Sequence, residues 1–290
     1  MNSMLYIKIK LHKWILPLLQ FFSPFINWLH DKTYQLDSLR LNKELFFNAA
    51  NIQRDELEQV QNKIREFCKV KKYDAMNEDL WVAHSFRLIL TKNWIEQVID
   101  KERSNLSAID LGVESIASNL WKQWFPNFSW VNTDFDLRYP WKFPDNSTDF
   151  ILCTELLEHL SDQPNEIFNE GFYKLGLQGL LREAFRVLKP GGYFFATTPN
   201  AASILHLQAT LEKRPPWFFD RHVREYTLEE MIFEMEKVGF QVTKASDVHC
   251  MSIYSYPEFT STFQLLLTSG YSTSGRGDDL FIVVQKPYPS

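Results

Sequence analysis

Ala108-Ile-Asp-Leu-Gly112 and, further along, Phe143-Pro-Asp-Asn-Ser-Thr-Asp-Phe-Ile-Leu-Cys-Thr-Glu-Leu-Leu-Glu-His-Leu160 share one plan. Each carries a short apolar run that ends at acidic residues and a turn. A buried strand that delivers an acidic residue and then a glycine lets backbone approach a ligand at the carboxyl edge of a sheet. Outward from these two stretches, strand and helix signals alternate. Helix is predicted over Glu114–Trp124, strand over Ser129–Thr133 and again over Asp149–Thr154, and helix over Glu155–Leu160. A long helical stretch, Ile167–Leu188, contains Gly171, Gly176 and Gly179 and is open to a break. Pro190-Gly191-Gly192 reads as a tight turn into the strand Tyr193–Thr198. Thr227 caps a helix over Leu228–Val238 with Glu230 completing a capping box, and Gly239 closes it before the strand Phe240–Thr243. Leu280–Gln285 is the last apolar strand. Strands alternating with helices predict an α/β fold, a mostly parallel sheet covered on both faces.

The N-terminal third has a different texture. Neither Gly nor Pro occurs between Pro24 and Gly112, and Leu57, Val60, Ile64, Phe67 and Val70 recur at helical spacing. Leu80–Ile99 repeats the pattern through Leu88, Trp94, Ile95 and Val98. Residues 1–100 are therefore expected as a helical N-terminal region ahead of an α/β domain at 101–290. Within it, residues 4–30 combine Lys8, Lys10 and Lys13 with an apolar stretch and no acidic residue before Asp31. Pro17, Gln20, Ser23, Pro24 and Asn27 interrupt that stretch, so it falls short of the roughly 18 clean apolar residues of a membrane span. Two readings stand open: a peripheral membrane contact through residues 4–30, or a hydrophobic arm packed on its own domain.

Composition narrows the function classes. The 290 residues are 45% hydrophobic and 23% charged, which excludes a disordered chain. A formal net charge of −5 provides no global basic field, so a long nucleic acid is not an expected partner. Three scattered cysteines, Cys68, Cys153 and Cys250, fit neither a disulfide framework nor a zinc ribbon. A reducing, cytoplasmic setting is expected, membrane-associated if residues 4–30 dock on lipid.

Taken with Arg186-Val-Leu-Lys-Pro-Gly-Gly192 and Ala196-Thr-Thr-Pro-Asn200, the two opening stretches resemble the class I S-adenosylmethionine-dependent methyltransferases, over about residues 107–286. That resemblance implies a Rossmann-like methyltransferase sheet, mostly parallel with an antiparallel last strand, and S-adenosyl-L-methionine as methyl donor. Two departures from the family pattern stand out. Val113, Glu114 and Ser115 follow Gly112 where the family continues G-x-G-x-G. Only 39 positions separate Asp110 from Asp149, too few for the usual second strand, helix and third strand, so a shortened sheet is expected. The resemblance places Asp110, Gly112, Glu114 and Thr154 against the donor, with Asp134 or Asp136 toward its ribose or adenine.

Glu155, Glu158 and His159 share one face if the segment is helical, and two carboxylates with an imidazole make a plausible metal half-site. The same E-x-x-E-H arrangement resembles two metal-assisted branches of the superfamily, acting on small-RNA 3′ ends and on ubiquinone-pathway hydroxyls. The RNA branch adds a later histidine, matched here by His222 in Arg221-His-Val-Arg-Glu-Tyr-Thr227. A divalent magnesium or manganese ion would then rest on Glu155, Glu158, His159 and His222. In metal-free members the histidine is a base or orders the pocket, and His159 is the expected catalytic residue on either reading. The leading expectation is O-methylation of a small-molecule, glycan or lipid-linked acceptor. The alternatives are a metal-assisted RNA 2′-O-methyltransferase and a non-catalytic scaffold that has lost its donor. His206 and His249 read as ordinary core or surface histidines.

Overall fold

The computed structural model describes residues 50–99, 105–161, 175–216, 218–251 and 259–289. The segment 4–30 lies outside the described residues, as does most of the first half of Ile167–Leu188. Among the described residues no helix is long and apolar enough to cross a membrane.

Three helices come first: α1 (Arg54–Lys71), α2 (Ala75–Ala83) and α3 (Ser85–Val98). Val60, Ile64 and Cys68 bury the inner face of α1, while Val70 is left at the surface. The single helix expected over Leu80–Ile99 is two, because the chain breaks at His84 and the Ser85 hydroxyl donates back to the Val82 carbonyl at 2.7 Å.

The sheet follows, in the order β2-β1-β3-β4-β6-β5. Its strands are β1 (Leu106–Asp110), β2 (Phe128–Asn132), β3 (Thr148–Thr154), β4 (Leu188–Pro199), β5 (Gln241–Val248) and β6 (Asp279–Gln285). β1 runs parallel to β2 and β3, and β3 to β4; β6 is antiparallel to both β4 and β5. One strand, not two, lies between β1 and β3, so the sheet is shortened as the spacing predicted. Adjacent residues of each central strand serve opposite faces. Phe150, Phe195 and Phe281 face a core shared with Trp94 of α3 and with α4 (Ile116–Trp124). Ile151, Phe194 and Ile282 face the other, against α5 (Leu175–Val187) and α7 (Leu228–Val238). A short α6 (Ile204–Leu211) and α8 (Thr260–Thr268) form a third, small cluster through Ile204 and Leu266.

Pro190-Gly191-Gly192 is not a turn ahead of the strand but a bulge inside β4, where the pairing with β3 jumps from Thr148–Leu188 to Phe150–Tyr193. Gly191 sits at φ +78, a left-handed value that suits a residue without a Cβ. The motif residues around it stitch the strand ends together. Arg186 donates to the carbonyls of Trp141 and Phe143 and pairs with Glu183 and Asp145. Asp149 takes the Lys189 ammonium at 2.7 Å together with the Ser107 hydroxyl and N–H.

Candidate active site

After β1 the chain passes to β2 on one side, then crosses to β3 on the other. That reversal opens a crevice outside the carboxyl ends of β1 and β3, where open α/β sheets bind ligands. Gly112 lines it at φ +109, a backbone state that disfavours any side chain. Its N–H donates to the Thr133 hydroxyl at 2.7 Å, and the Thr133 N–H returns to the Gly112 carbonyl at 3.0 Å. Asp110 is buried behind this turn, accepting from Ser118 Oγ at 2.6 Å and Asn132 Nδ2 at 3.0 Å. Burial nevertheless pushes its carboxyl up to about 6, the two hydrogen bonds and distant Lys122 opposing the rise.

The other residues expected at the donor are dispersed. Glu114 stands at the surface in an ion pair with Lys122 at 2.6 Å. Asp136 is held by the Arg138 guanidinium, which keeps its carboxyl below the usual range. Asp134 is exposed two residues past the end of β2, and Thr154 is half-buried at the end of β3.

Glu155 corrects the expectation of a helix over Glu155–Leu160. Its φ is +49, and only Leu157–His159 winds into a single 3₁₀ turn. The Glu155 N–H is captured by the Thr197 carbonyl at 2.9 Å, which extends the β3–β4 ladder past the point where a helix would begin. Its carboxylate accepts from the Thr197 hydroxyl at 2.8 Å and meets Arg87 Nη1 at 2.5 Å. Glu155 therefore does not share a face with Glu158 and His159.

Glu158, His159 and His222 do converge: one ligand atom from each lies within 4.8 Å of the others. Glu158 is fully buried, and one carboxylate oxygen, Oε2, accepts from the Thr198 hydroxyl at 2.8 Å. Its other oxygen, Oε1, has no hydrogen-bond partner and faces His159 Nε2 at 3.8 Å and His222 Nε2 at 4.0 Å. Burial, then the Glu155 charge, push the Glu158 carboxyl well above the ordinary range. The two rings meet edge to face with centroids 4.8 Å apart. His159 is the open member, its side chain 42% exposed. Burial and the His222 ring lower its imidazole, although a hydrogen bond to the Arg221 backbone opposes the shift.

The His222 segment is fixed in place by the backbone. Val223 and Arg224 N–H both donate to the Glu158 carbonyl, and the Ala201 N–H donates to the Tyr226 carbonyl beside the end of β4. Asn200 anchors the facing loop through the carbonyls of Gly275 and Gly277. His206, read from the sequence as an ordinary core or surface histidine, joins the cluster together with Glu225. Glu225 lies between the two imidazoles, bonded to His222 Nδ1 and to His206 Nε2. Burial would raise its carboxyl, but these bonds outweigh burial and hold it below the usual value. The H-x-x-E spacing of His222 and Glu225 was the available signal; nothing in the sequence pairs Arg87 with Glu155.

Residues 65–245 match a family described as a methyltransferase domain. A protein of Mycolicibacterium smegmatis named as a probable S-adenosylmethionine-dependent methyltransferase is 31% identical over 99 residues. That match takes in 34% of this chain and about a third (31%) of the relative's length. A crystal structure of a SAM-dependent methyltransferase from Archaeoglobus fulgidus aligns with 72% of this chain and 99% of its own, at 18% identity and a TM-score of 0.46. One from Mesorhizobium loti aligns with 67% and 96%, at 14% identity and a TM-score of 0.41. With the family match running from inside α1 to the middle of β5, the chain belongs to the methyltransferase-domain family, among the class I S-adenosylmethionine-dependent methyltransferases.

Proposed function

We propose that the chain transfers the methyl group of S-adenosylmethionine to a hydroxyl of a small-molecule, glycan or lipid-linked acceptor. One observation carries this reading: two imidazole Nε2 atoms face a buried carboxyl beside the switch-point crevice at Gly112 and Thr154. The donor, when bound, supplies a methyl on a positively charged sulfur, open to in-line attack by an oxygen. Gly112 lets the backbone approach the donor, and Asp134 is free to accept hydrogen bonds from hydroxyls or an amine. His159, the exposed ring, accepts the acceptor's proton at Nε2, while Glu158 and His222 close the inner wall of the site. Phe219 and Val223 are exposed next to His222, with Arg221 over the Phe219 ring at 5.9 Å. An acceptor with an apolar portion suits that rim better than a bare phosphodiester strand.

A second reading, metal assistance, is favoured by the orphaned Oε1 of Glu158. A divalent magnesium or manganese ion would be held by Glu158, His159 and His222, with Glu155 committed elsewhere. It would polarise the acceptor oxygen and lower its pKa.

Calorimetric titration with S-adenosylhomocysteine, with EDTA or manganese present, tests the donor site. Micromolar binding is expected, and its absence under both conditions would favour a non-catalytic scaffold. With labelled donor and a panel of hydroxyl acceptors, His159→Ala should lose about 10²- to 10⁴-fold in turnover. Its affinity for S-adenosylhomocysteine should stay within about twofold, because His159 lies outside the β1–β3 crevice. Full activity in His159→Ala removes that residue from the chemistry. A manganese-dependent gain abolished by Glu158→Gln selects the metal reading.

A further inference from the structure

Behind His222 runs a chain of buried polar groups that reaches the N-terminus of α6. Glu225 has a side chain only 5% exposed, and its neighbours His206 and His222 are 6% and 7% exposed. One Glu225 oxygen, Oε1, takes both His222 Nδ1 and the Phe218 N–H, the latter at 2.8 Å. The other, Oε2, takes His206 Nε2. His206 Nδ1 meets Ser203 Oγ at 2.5 Å, and the same hydroxyl oxygen accepts the His206 N–H at 3.2 Å as the cap of α6.

Counting protons along this chain assigns the ring nitrogens of the two imidazoles in their neutral form. A carboxylate only accepts, so His222 Nδ1 and His206 Nε2 must both carry hydrogen. His206 Nδ1 is then bare and receives the Ser203 hydroxyl proton. His222 Nε2 is bare too, and it is the nitrogen turned toward Glu158 and the His159 ring.

We propose that Glu225 is the positioning residue of this site. It bridges two imidazoles and so holds His222 in the tautomer whose Nε2 lone pair faces the reacting centre. The assignment deepens the methyl-transfer reading and rests on it for its catalytic consequence. A lone pair fixed there serves the acceptor proton or a cation equally, since in both cases a partner on the second ring nitrogen sets the tautomer.

Two substitutions in the full chain, read by ¹⁵N NMR of the imidazoles, test it. In the unsubstituted protein His222 is expected as the Nδ1–H tautomer. Glu225→Leu removes the acceptor, so His222 should shift toward the Nε2–H form favoured by a free imidazole. Turnover should fall about ten- to hundredfold, with donor affinity and acceptor KM within about twofold. Glu225→Gln makes a sharper prediction. His222 and Phe218 both demand an acceptor at the same position, so the amide oxygen must sit there and the amide nitrogen must face His206. His222 then keeps its tautomer while His206 inverts to Nδ1–H, and most of the turnover lost in Glu225→Leu returns. If His222 keeps the Nδ1–H tautomer in folded Glu225→Leu, or if His206 fails to invert in Glu225→Gln, Glu225 does not set the ring and the proposal falls. These spectra need no turnover. Failure of the methyl-transfer reading would appear separately, as absent binding of S-adenosylhomocysteine with the tautomers as assigned.

Discussion

Asp110 illustrates how a residue of a recognisable motif can act in two ways at once. It ends β1 at the crevice, yet its carboxyl is turned into the pair of donors Ser118 and Asn132 and is shielded from water. Desolvation dominates there and lifts the group from 3.8 to about 6. Between these values the unfolded chain has released the proton while the folded chain still holds it. Folding therefore loses stability as pH rises through that window, by about 3 kcal/mol once both states are ionised. Asp110→Asn stays neutral at every pH and lacks this loss. Urea unfolding without donor at pH 4.5 and 7.5 should show the variant gaining on the parent by about 2 kcal/mol, since about a third of the loss is already present at pH 4.5 and the other carboxyls cancel in the difference. A difference that is flat with pH would mean Asp110 is ionised and better solvated than its burial indicates.

The residues that made the family legible are mostly those that hold the fold. Arg186, Asp149, Asn200 and the glycines at 191 and 192 tie strand ends and loops together, and none of them touches Glu158 or His159. Their spacing is fixed by backbone geometry, which is why it could be read along the chain. Glu158, His159 and His222 were legible too, through the E-x-x-E-H spacing and one later histidine. The pairing of Arg87 with Glu155, and of His206 with Glu225, depends on elements that meet only after folding.

At the scale of elements, local propensity lost to tertiary hydrogen bonding in one decisive place. Glu-Leu-Leu-Glu-His is a good helical string, but the Thr197 carbonyl takes the Glu155 N–H and turns the residue left-handed. The edge strand β5 ran further than its apolar residues suggested. Lys244, Ser246 and Asp247 pair along β6 although they give no strand-like pattern, because an edge strand is half solvated. Arg87 is what links α3 to the site. Its guanidinium is buried against Glu155, with the carboxylate of Asp279 4.0 Å away. Without that cation, half-buried Glu155 would stand beside the buried carboxyls of Glu158 and Asp279 with no opposite charge. Arg87→Met should therefore cost about 3–5 kcal/mol, since it leaves a buried carboxylate unpaired. Adding Glu155→Gln to Arg87→Met should recover a substantial part of that loss. A double-mutant cycle in urea measures the coupling, and a coupling near zero would show that Glu155 is carried by solvent and Thr197 instead.

At the scale of the whole molecule, the helices ahead of β1 are not an appendage. Trp94 stacks on Phe195 of β4 at 5.9 Å and meets Phe281 of β6 edge-on at 5.4 Å, while Lys244 of β5 lies 3.8 Å over its ring. Ile64 and Cys68 of α1 belong to the same buried cluster as Phe150 and Val283. Residues 54–98 thus supply, together with α4, one of the two layers that cover the sheet, and the boundary expected near residue 100 divides the chain in sequence but not in its core. Unfolding should then be a single event. Trp94→Ala removes a large ring from a site with no other filler, at a cost of about 3–5 kcal/mol. It should lower the melting of helix and sheet signals together, leaving one transition in calorimetry and in both far- and near-ultraviolet circular dichroism. Two resolved transitions, with only the helical one moved by Trp94→Ala, would instead make α1–α3 a separate folding unit. Its Arg87 would then be a detachable contributor to the site, and the site's integrity would follow the weaker of the two units.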